Sequence, residues 1–220
     1  MLGFGRKHFA PLLERPEARA LWWPRFLRIA DWLVAWERSR RDGIAAIHAE
    51  VGGRIEIPLD HGRSFRLTAR ADRIERRTDG NYTLLDYKTG SPPTGRQVRI
   101  GLSPQLTLEA AMLREGGFAD IRAGCSIAEL IYVKLSGNTP AGEPQTLDLK
   151  RSAGEPSQSP DEAAIEALQK LEALVRRFED ENQPYHALVL PMWRTRYGDY
   201  DDLARIKEWS ATQGTVEDVS

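Results

Sequence analysis

Two carboxylates and a lysine stand out by their spacing in the first half of the chain. Asp86 and Lys88 are separated by one residue, Tyr87, and the run continues as Thr89-Gly90, while Asp72 lies upstream. Carboxylates bind Mg²⁺, which polarises a phosphate and lowers the pKa of its bound water, and a nearby lysine stabilises the charge that develops. These residue types therefore predict metal-assisted hydrolysis of a phosphodiester bond.

Two neighbouring strands must position these side chains. Alternation of apolar and polar residues predicts a strand over 65–76, whose odd positions face the core and whose even positions, including Asp72, face the polar side. A second strand from Tyr82 onward carries Asp86 and Lys88 on one face. Thr78-Asp79-Gly80-Asn81, between the two strands, has the composition of a hairpin turn.

The length of that turn decides whether the three side chains share a face. A three-residue loop over 79–81 sets Asp72 opposite Lys88, and all three candidates then lie together. A two-residue loop would pair Asp72 with Tyr87 and divide them between the two faces. The chemistry therefore requires an odd loop or a bulge, with Gly80 or Asn81 in the left-handed conformation.

A helix start follows at Ser103-Pro104-Gln105. Serine suits the N-cap and proline the first helical position. Gln105 would project from the first turn, where the positive end of the helix dipole favours a phosphate. On local pattern alone, Gln105 is equally well explained as a polar residue at an exposed helix start, and Asp-x-Lys on a half-exposed strand is usually a solvated face.

The order and spacing of these residues resemble the PD-(D/E)XK nuclease superfamily, and more narrowly its RecB-like branch. The residues that carry the resemblance are Asp72-Arg73-Ile74-Glu75, the run 86–90 and Gln105. The resemblance implies an α/β, restriction-endonuclease-like fold, in which a mixed β-sheet is flanked by α-helices. It implies DNA cleavage with Mg²⁺, or Mn²⁺, bound by Asp72, Asp86 and the backbone carbonyl of Tyr87. Lys88 would orient the water or stabilise the pentacovalent phosphate, and Gln105 would position the substrate.

Three further stretches, 15–26, 129–137 and 198–210, resemble the AddB subunit of AddAB-type helicase–nucleases. This resemblance, over about residues 5–210, implies the C-terminal nuclease domain of a double-strand-break repair protein. It implies DNA that is single-stranded at the active site, an AddA-like helicase–nuclease subunit as partner, and a place in the bacterial cytoplasm, associated with the nucleoid.

The chain departs from the family pattern in three places. The RecB-like Q-x-x-x-Y motif begins at Gln105, but Glu109 stands where the tyrosine is expected. In RecB-like nucleases, a histidine or glutamate on an early helix completes the metal site. His8 does not fit the spacing of that motif. Glu50 could contribute, but a structural or exposed carboxylate is the favoured interpretation. Cys125 is the single cysteine, so the iron–sulfur cluster of many AddB relatives is not expected.

Bulk composition agrees with a soluble intracellular enzyme. The net charge of −1 argues against a protein that coats DNA, although local arginines can contact phosphates; the candidates are Arg63, Arg66, Arg70, Arg73, Arg96 and Arg99. We find no signal-peptide pattern and no apolar run long enough to cross a membrane, so no membrane partner is expected. One cysteine is typical of a reducing compartment.

The expected organisation is one nuclease domain over 1–210, followed by a disordered tail over 211–220. Its parts are an N-terminal helical part (1–43), a catalytic core (44–135), a loop (136–160) and C-terminal helices (161–210). The patterns predict a helix over 16–41 that bends near Pro24, strands over 44–50 and 54–59 with a break at Gly52-Gly53, a strand over 126–135, and an optional edge strand over 145–149.

A rival hypothesis comes from a different class of protein. A nuclease-like domain without catalysis could bind DNA or dock a helicase subunit. The Asp72, Asp86 and Lys88 set argues against it, because a binding module does not need metal-ligand spacing. The missing ligand from an early helix argues for it.

Overall fold

A computed structural model describes residues 2–150 and 157–184. The expected helices over 185–210 and the tail over 211–220 lie outside the described residues. Residues up to Val175 form one compact unit. The elements, in chain order, are α1 (Leu2–Leu13), a π-helical turn (Ala18–Trp22), α2 (Trp23–Arg40), β1 (Ile44–Pro58), β2 (Ser64–Arg77), β3 (Tyr82–Lys88), α3 (Gly95–Arg99), α4 (Gln105–Arg114), β4 (Ile127–Leu135), β5 (Gly142–Thr146) and α5 (Pro160–Phe178).

The strands form one mixed sheet in the order β1-β2-β3-β4-β5. β3 and β4 are parallel, with α3 and α4 in the connection between them, and the other neighbouring pairs are antiparallel. The expected α/β, restriction-endonuclease-like architecture is therefore confirmed. None of the described helices is long and apolar enough to span a membrane.

Helices cover both faces of the sheet at its centre. On one face, Ile74 and Leu84 are fully buried in a cluster with residues of α4. On the other face, Leu85 and Val133 are fully buried against Trp32 and other side chains. The first five residues of β3 are consequently all buried, the polar Thr83 and Asp86 included.

The register of the β2–β3 hairpin differs from the predicted one. Arg76 pairs with Tyr82, so continuation of the ladder sets Asp72 level with Asp86 rather than with Lys88. The predicted register was wrong by two residues because the three-residue loop is 78–80 rather than 79–81: the backbone N–H of Arg77 donates to Asn81 O over 2.8 Å, and that of Gly80 donates to Arg77 O over 3.1 Å. A two-residue shift preserves the parity, so Asp72 and Asp86 still share a face.

Strand β1 is continuous through the predicted break. Gly52 pairs with Arg70 and Gly53 with Ala69. Gly53 marks a close approach: a Cβ there would lie 2.5 Å from the ring of Phe118. The irregular residue is instead Glu50, which adopts a left-handed φ of 53° and lies across from Asp72 in the register.

Alternation on β2 holds only in its first half. Leu67, Ala69 and Ala71 pack against the core, as predicted. Beyond Asp72 the predicted alternation fails, because both faces are buried there: Ile74 packs in the core cluster with α4, and Arg73 and Glu75 are buried on the opposite face, against α2.

Three predicted boundaries also differ. The helix over 16–41 is a π-helical turn followed by α2, with Pro24 in the first turn, where a missing N–H costs nothing. Pro104 rather than Ser103 is the N-cap of α4, without a side-chain cap. The edge strand lies at Gly142–Thr146, earlier than 145–149.

Candidate active site

Lys88, Asp86 and Gln105 form a closed set of contacts at the end of β3. Lys88 Nζ donates to Asp86 Oδ1 over 3.0 Å and lies 2.8 Å from Oδ2. Gln105 Nε2 donates to the same Asp86 Oδ1 over 2.9 Å, and Gln105 Oε1 accepts from Lys88 Nζ over 3.2 Å. Each side chain therefore contacts the other two.

Packing of α4 against β3 brings Gln105 to this position. Leu106, the next residue, is fully buried in the core cluster that contains Leu84 of β3. The first turn of α4 consequently lies beside the end of β3, where Asp86 and Lys88 point to the same face. Two elements distant in sequence thus supply one site.

Asp72 joins the site from β2. Its Oδ2 accepts the backbone N–H of Tyr87 over 2.9 Å, and it is level with Asp86. The structure therefore brings all four candidate side chains, Asp72, Asp86, Lys88 and Gln105, to one region of the sheet.

The Asp86 carboxyl is almost completely buried, with 1% of the residue exposed. Burial raises its pKa, and the nearby Asp72 carboxylate raises it further, whereas Lys88 and Gln105 lower it through hydrogen bonds. A divalent cation between the two aspartates would favour their charged forms. The pair is therefore electrostatically suited to a cation.

The structure adds Glu109, which was not among the predicted site residues. It is 3% exposed, and Gln105 Nε2 donates to its Oε1 over 3.1 Å. Burial raises the pKa of Glu109 to about 7, and the charges of Asp86 and Asp72 add to that effect. The available signal was helical spacing, because residues four apart on a helix share a face.

Tyr132 lies beside the site on β4, at the position paired with Asp86. Its hydroxyl is buried and has no hydrogen-bond partner within residues 2–150 and 157–184. Burial raises the pKa of the Tyr132 phenol, and Asp86 and Glu109 raise it further. The phenol is therefore within electrostatic reach of both carboxyl groups.

Other residues considered from the sequence have different surroundings. His8 is exposed on α1. Glu50 Oε2 lies 3.0 Å from Arg70 Nε, with 63% of the glutamate side chain exposed. The expectation that Arg73 contacts phosphate was wrong, because its guanidinium is buried on the α2 side of the sheet.

A buried ionic network lies behind the site, on that opposite face. Arg73 Nη1 and Nη2 donate to Glu37 over 2.6 and 2.9 Å, and Nη2 lies 2.6 Å from Glu75. Arg73 Nη1 also donates to the Tyr87 hydroxyl over 3.2 Å, and Arg40 pairs with Glu75 at 2.6 Å. Tyr87 therefore connects the network to the strand that carries Asp86 and Lys88.

The site offers few side-chain ligands for a divalent metal. In the part of the chain that the structure describes, no group of three or more His, Cys, Asp or Glu residues is arranged to hold a metal ion. Mg²⁺ often takes only one or two carboxylates, with waters and substrate phosphates completing its shell. Asp72 and Asp86, which lie level with each other on β2 and β3, are within that number of carboxylates.

The fold and the candidate site define a class: a restriction-endonuclease-like α/β domain with Asp and Asp-x-Lys on neighbouring strands. The profile of the PD-(D/E)XK nuclease superfamily matches residues 6–189, so the chain belongs to that superfamily.

Relatives are found in Rickettsia. An uncharacterized protein of Rickettsia felis is 28% identical over 203 residues, which cover 84% of this chain and 24% of that protein. An uncharacterized protein of Rickettsia bellii is 28% identical over 181 residues, which cover 81% of this chain and 21% of that protein. The chain thus spans a quarter or less of the length of these relatives. Among solved structures, SSO0001 superposes with a TM-score of 0.36 at 17% identity, over 76% of this chain and 71% of that one.

Proposed function

We propose that this chain is a metal-dependent nuclease domain that hydrolyses DNA phosphodiester bonds. The closed contacts among Lys88, Asp86 and Gln105, with Asp72 level with Asp86, carry the proposal. The Asp86 side chain is 2% exposed, and burying a charged group costs free energy that a solvated surface pair avoids. That cost favours a catalytic role for these residues over a role as an ordinary surface ion pair.

Asp72, Asp86 and the Tyr87 carbonyl would hold Mg²⁺, with Mn²⁺ as a substitute. The metal would supply polarisation of the phosphate and a lower pKa for bound water. Lys88 would hold its ammonium group against the attacking water or the phosphate oxygens, where negative charge accumulates. Gln105 would hold Lys88 through its carbonyl oxygen and orient the substrate from the first turn of α4.

Superfamily membership and the electrostatics of the site support the substrate that we propose. Nucleases of this superfamily act on nucleic acid, and DNA that is single-stranded at the cleavage point is the substrate we propose. The N-terminal end of α4, where Gln105 lies, favours a phosphate through the helix dipole.

We further propose an AddB-type setting. The support is the sequence resemblance over residues 15–26 and 129–137, together with the Asp86-Tyr87-Lys88-Thr89-Gly90 run. The partner would be an AddA-like helicase–nuclease subunit, and the site of action the bacterial cytoplasm at the nucleoid. Co-purification with such a subunit, and a higher cleavage rate in its presence, would test this setting.

A cleavage assay tests the nuclease proposal directly. End-labelled single-stranded and duplex DNA would be incubated with the chain across a titration of Mg²⁺ and of Mn²⁺. We expect metal-dependent cleavage that EDTA abolishes and that Asp86→Asn removes. Lys88→Met should lower the rate by about 10²–10³-fold, since it removes a group that stabilises transition-state charge.

A matched control is Glu143→Gln, at an exposed position of β5, which should cleave like the wild type. DNA binding without cleavage at every metal concentration would overturn the proposal. That result would support the rival, a non-catalytic module that binds DNA or docks a helicase subunit.

A further inference from the structure

The side-chain amide of Gln105 is engaged at both ends. Its Oε1 accepts from Lys88 Nζ, and its Nε2 donates both to Asp86 Oδ1 and to Glu109 Oε1, at 3.2, 2.9 and 3.1 Å. A rotation that exchanged the oxygen and nitrogen would turn the NH₂ group toward the ammonium of Lys88 and the carbonyl oxygen toward two carboxyl groups. One orientation of the amide is therefore strongly favoured.

Glu109 supplies one of the two acceptors that select this orientation. It lies one turn beyond Gln105 on α4, with 3% of the residue exposed. Leu106, Ala110 and Leu113 on the same helix are fully buried apolar residues. An apolar side chain at position 109 would satisfy packing without the cost of burying a carboxyl group, so packing does not explain this glutamate.

Tyr132 provides a second, independent observation at the same place. Its hydroxyl is buried without a hydrogen-bond partner among the described residues, and it lies on β4 level with Asp86. A polar group left unpaired in a core costs free energy, and such costs concentrate at functional sites. Glu109 and Tyr132 are therefore two buried polar side chains beside the site that packing of the core does not require.

We propose that Glu109 is a positioning residue, which holds the Gln105 amide in the orientation that donates to Asp86 and accepts from Lys88. This inference rests on the proposed nuclease function. Glu109 acts through Gln105, and its substitution changes the alignment of Asp86 and Lys88 rather than the affinity for DNA.

Two substitutions separate this role from bulk packing. Glu109→Gln keeps an acceptor oxygen at the same distance from the backbone, whereas Glu109→Leu keeps the volume and removes the acceptor. We expect Glu109→Leu to lower kcat by about tenfold or more with KM for DNA changed by less than about threefold. Glu109→Gln should stay within about threefold of the wild type in both constants. Glu143→Gln serves again as the control.

A double-mutant cycle tests whether Glu109 acts through Gln105. In the Gln105→Leu background, Glu109→Leu should cause almost no further loss of kcat, because the amide it positions is gone. A full additional loss in that background would overturn the proposal, as would an unchanged kcat for Glu109→Leu. A loss in Glu109→Gln as large as in Glu109→Leu would also overturn it, since the charge rather than the acceptor would then be required.

A readout without metal or turnover separates this inference from the nuclease proposal. The side-chain NH₂ resonances of Gln105, assigned through their loss in Gln105→Leu, should keep their chemical shifts in Glu109→Gln and should move or broaden in Glu109→Leu. If the wild type does not cleave DNA, these resonances still decide whether Glu109 orients the amide. Unchanged Gln105 resonances in folded Glu109→Leu would overturn the inference; if that variant does not fold, Glu109→Met is measured in the same way.

Discussion

The backbone N–H of Tyr87 donates a hydrogen bond to Asp72 Oδ2 over 2.9 Å, just beyond Arg73 and Leu85, the last pair in the ladder between β2 and β3. A side chain therefore takes over where the backbone ladder ends. The same bond ties Asp72, one proposed metal ligand, to the residue whose carbonyl is proposed as another. Asp72 thus combines a structural and a chemical role, which substitution can separate.

Asp72→Asn and Asp72→Ala should differ in stability but not in activity. Asparagine keeps an oxygen that accepts from Tyr87, whereas alanine loses it, at a cost of about 1 kcal/mol in the free energy of unfolding. Both should lose cleavage, because neither offers a carboxylate to the metal. Urea unfolding in EDTA and the DNA cleavage assay measure the two effects. Equal stability of the two variants would show that the Tyr87 bond contributes nothing.

The network behind the site should be essential to stability. Arg73→Met leaves Glu37 and Glu75 without their central cation; Glu75 is fully buried. Breaking a buried pair from one side costs about 3–5 kcal/mol. Tyr87→Phe, which removes the hydroxyl that accepts from Arg73, should cost only about 1 kcal/mol. Chemical unfolding measures both.

Arg66→Met is the matched control for Arg73→Met. Arg66 pairs with Glu56 on the same strand pair, but both side chains are largely exposed, at 64% and 45%. Exposed pairs contribute little, so this variant should unfold like the wild type. A loss for Arg66→Met comparable with that for Arg73→Met would show that burial does not set the difference.

Local pattern predicted the parts of the site but not their alignment. Alternation placed Asp86 and Lys88 on one face, and the serine, proline and glutamine at 103–105 predicted the start of α4. The length of the hairpin loop constrains only parity, however, and the composition of residues 78–81 does not show which three of them form the loop; the bond from Arg77 N–H to Asn81 O makes it 78–80. Register was therefore beyond the reach of local pattern.

Glu109 illustrates a second limit. Helical spacing puts Glu109 on the same face as Gln105, but the rotation of α4 about its axis decides whether that face meets the site. Burial of Leu106 and Leu113 in the core sets this rotation. The Glu37–Arg73 contact is similar, because it depends on how α2 docks on the sheet. Both contacts depend on tertiary packing, which the local sequence pattern does not predict.

Gly52 and Gly53 offer a test of the continuous β1 strand. A Cβ at Gly53 would lie 2.5 Å from the Phe118 ring, whereas one at Gly52 would meet nothing within 4 Å. Gly53→Ala should therefore destabilise the protein by about 1–3 kcal/mol through overpacking. Gly52→Ala is the matched control and should change stability little. Equal effects in urea unfolding would contradict the close approach of Phe118.

Protonation of Glu109 should make stability depend on pH. Burial first, and then the charges of Asp86 and Asp72, raise its pKa from an ordinary 4.5 to about 7 in the folded protein. The folded state therefore binds this proton more tightly than the unfolded chain does. The resulting stabilisation is complete below the unfolded pKa and is lost as the pH rises through the folded pKa, so stability should fall with rising pH across this window.

Glu109→Gln should remove this part of the pH dependence, because the amide does not titrate. The free energy of unfolding of Glu109→Gln, relative to that of the wild type, should increase by about 2–3 kcal/mol between pH 4.5 and pH 8. Urea unfolding in EDTA keeps metal binding out of the comparison, and Glu143→Gln, exposed on β5, should follow the wild-type curve. If wild type and Glu109→Gln run parallel across the range, Glu109 keeps its ordinary pKa and its carboxyl is not desolvated as the structure indicates.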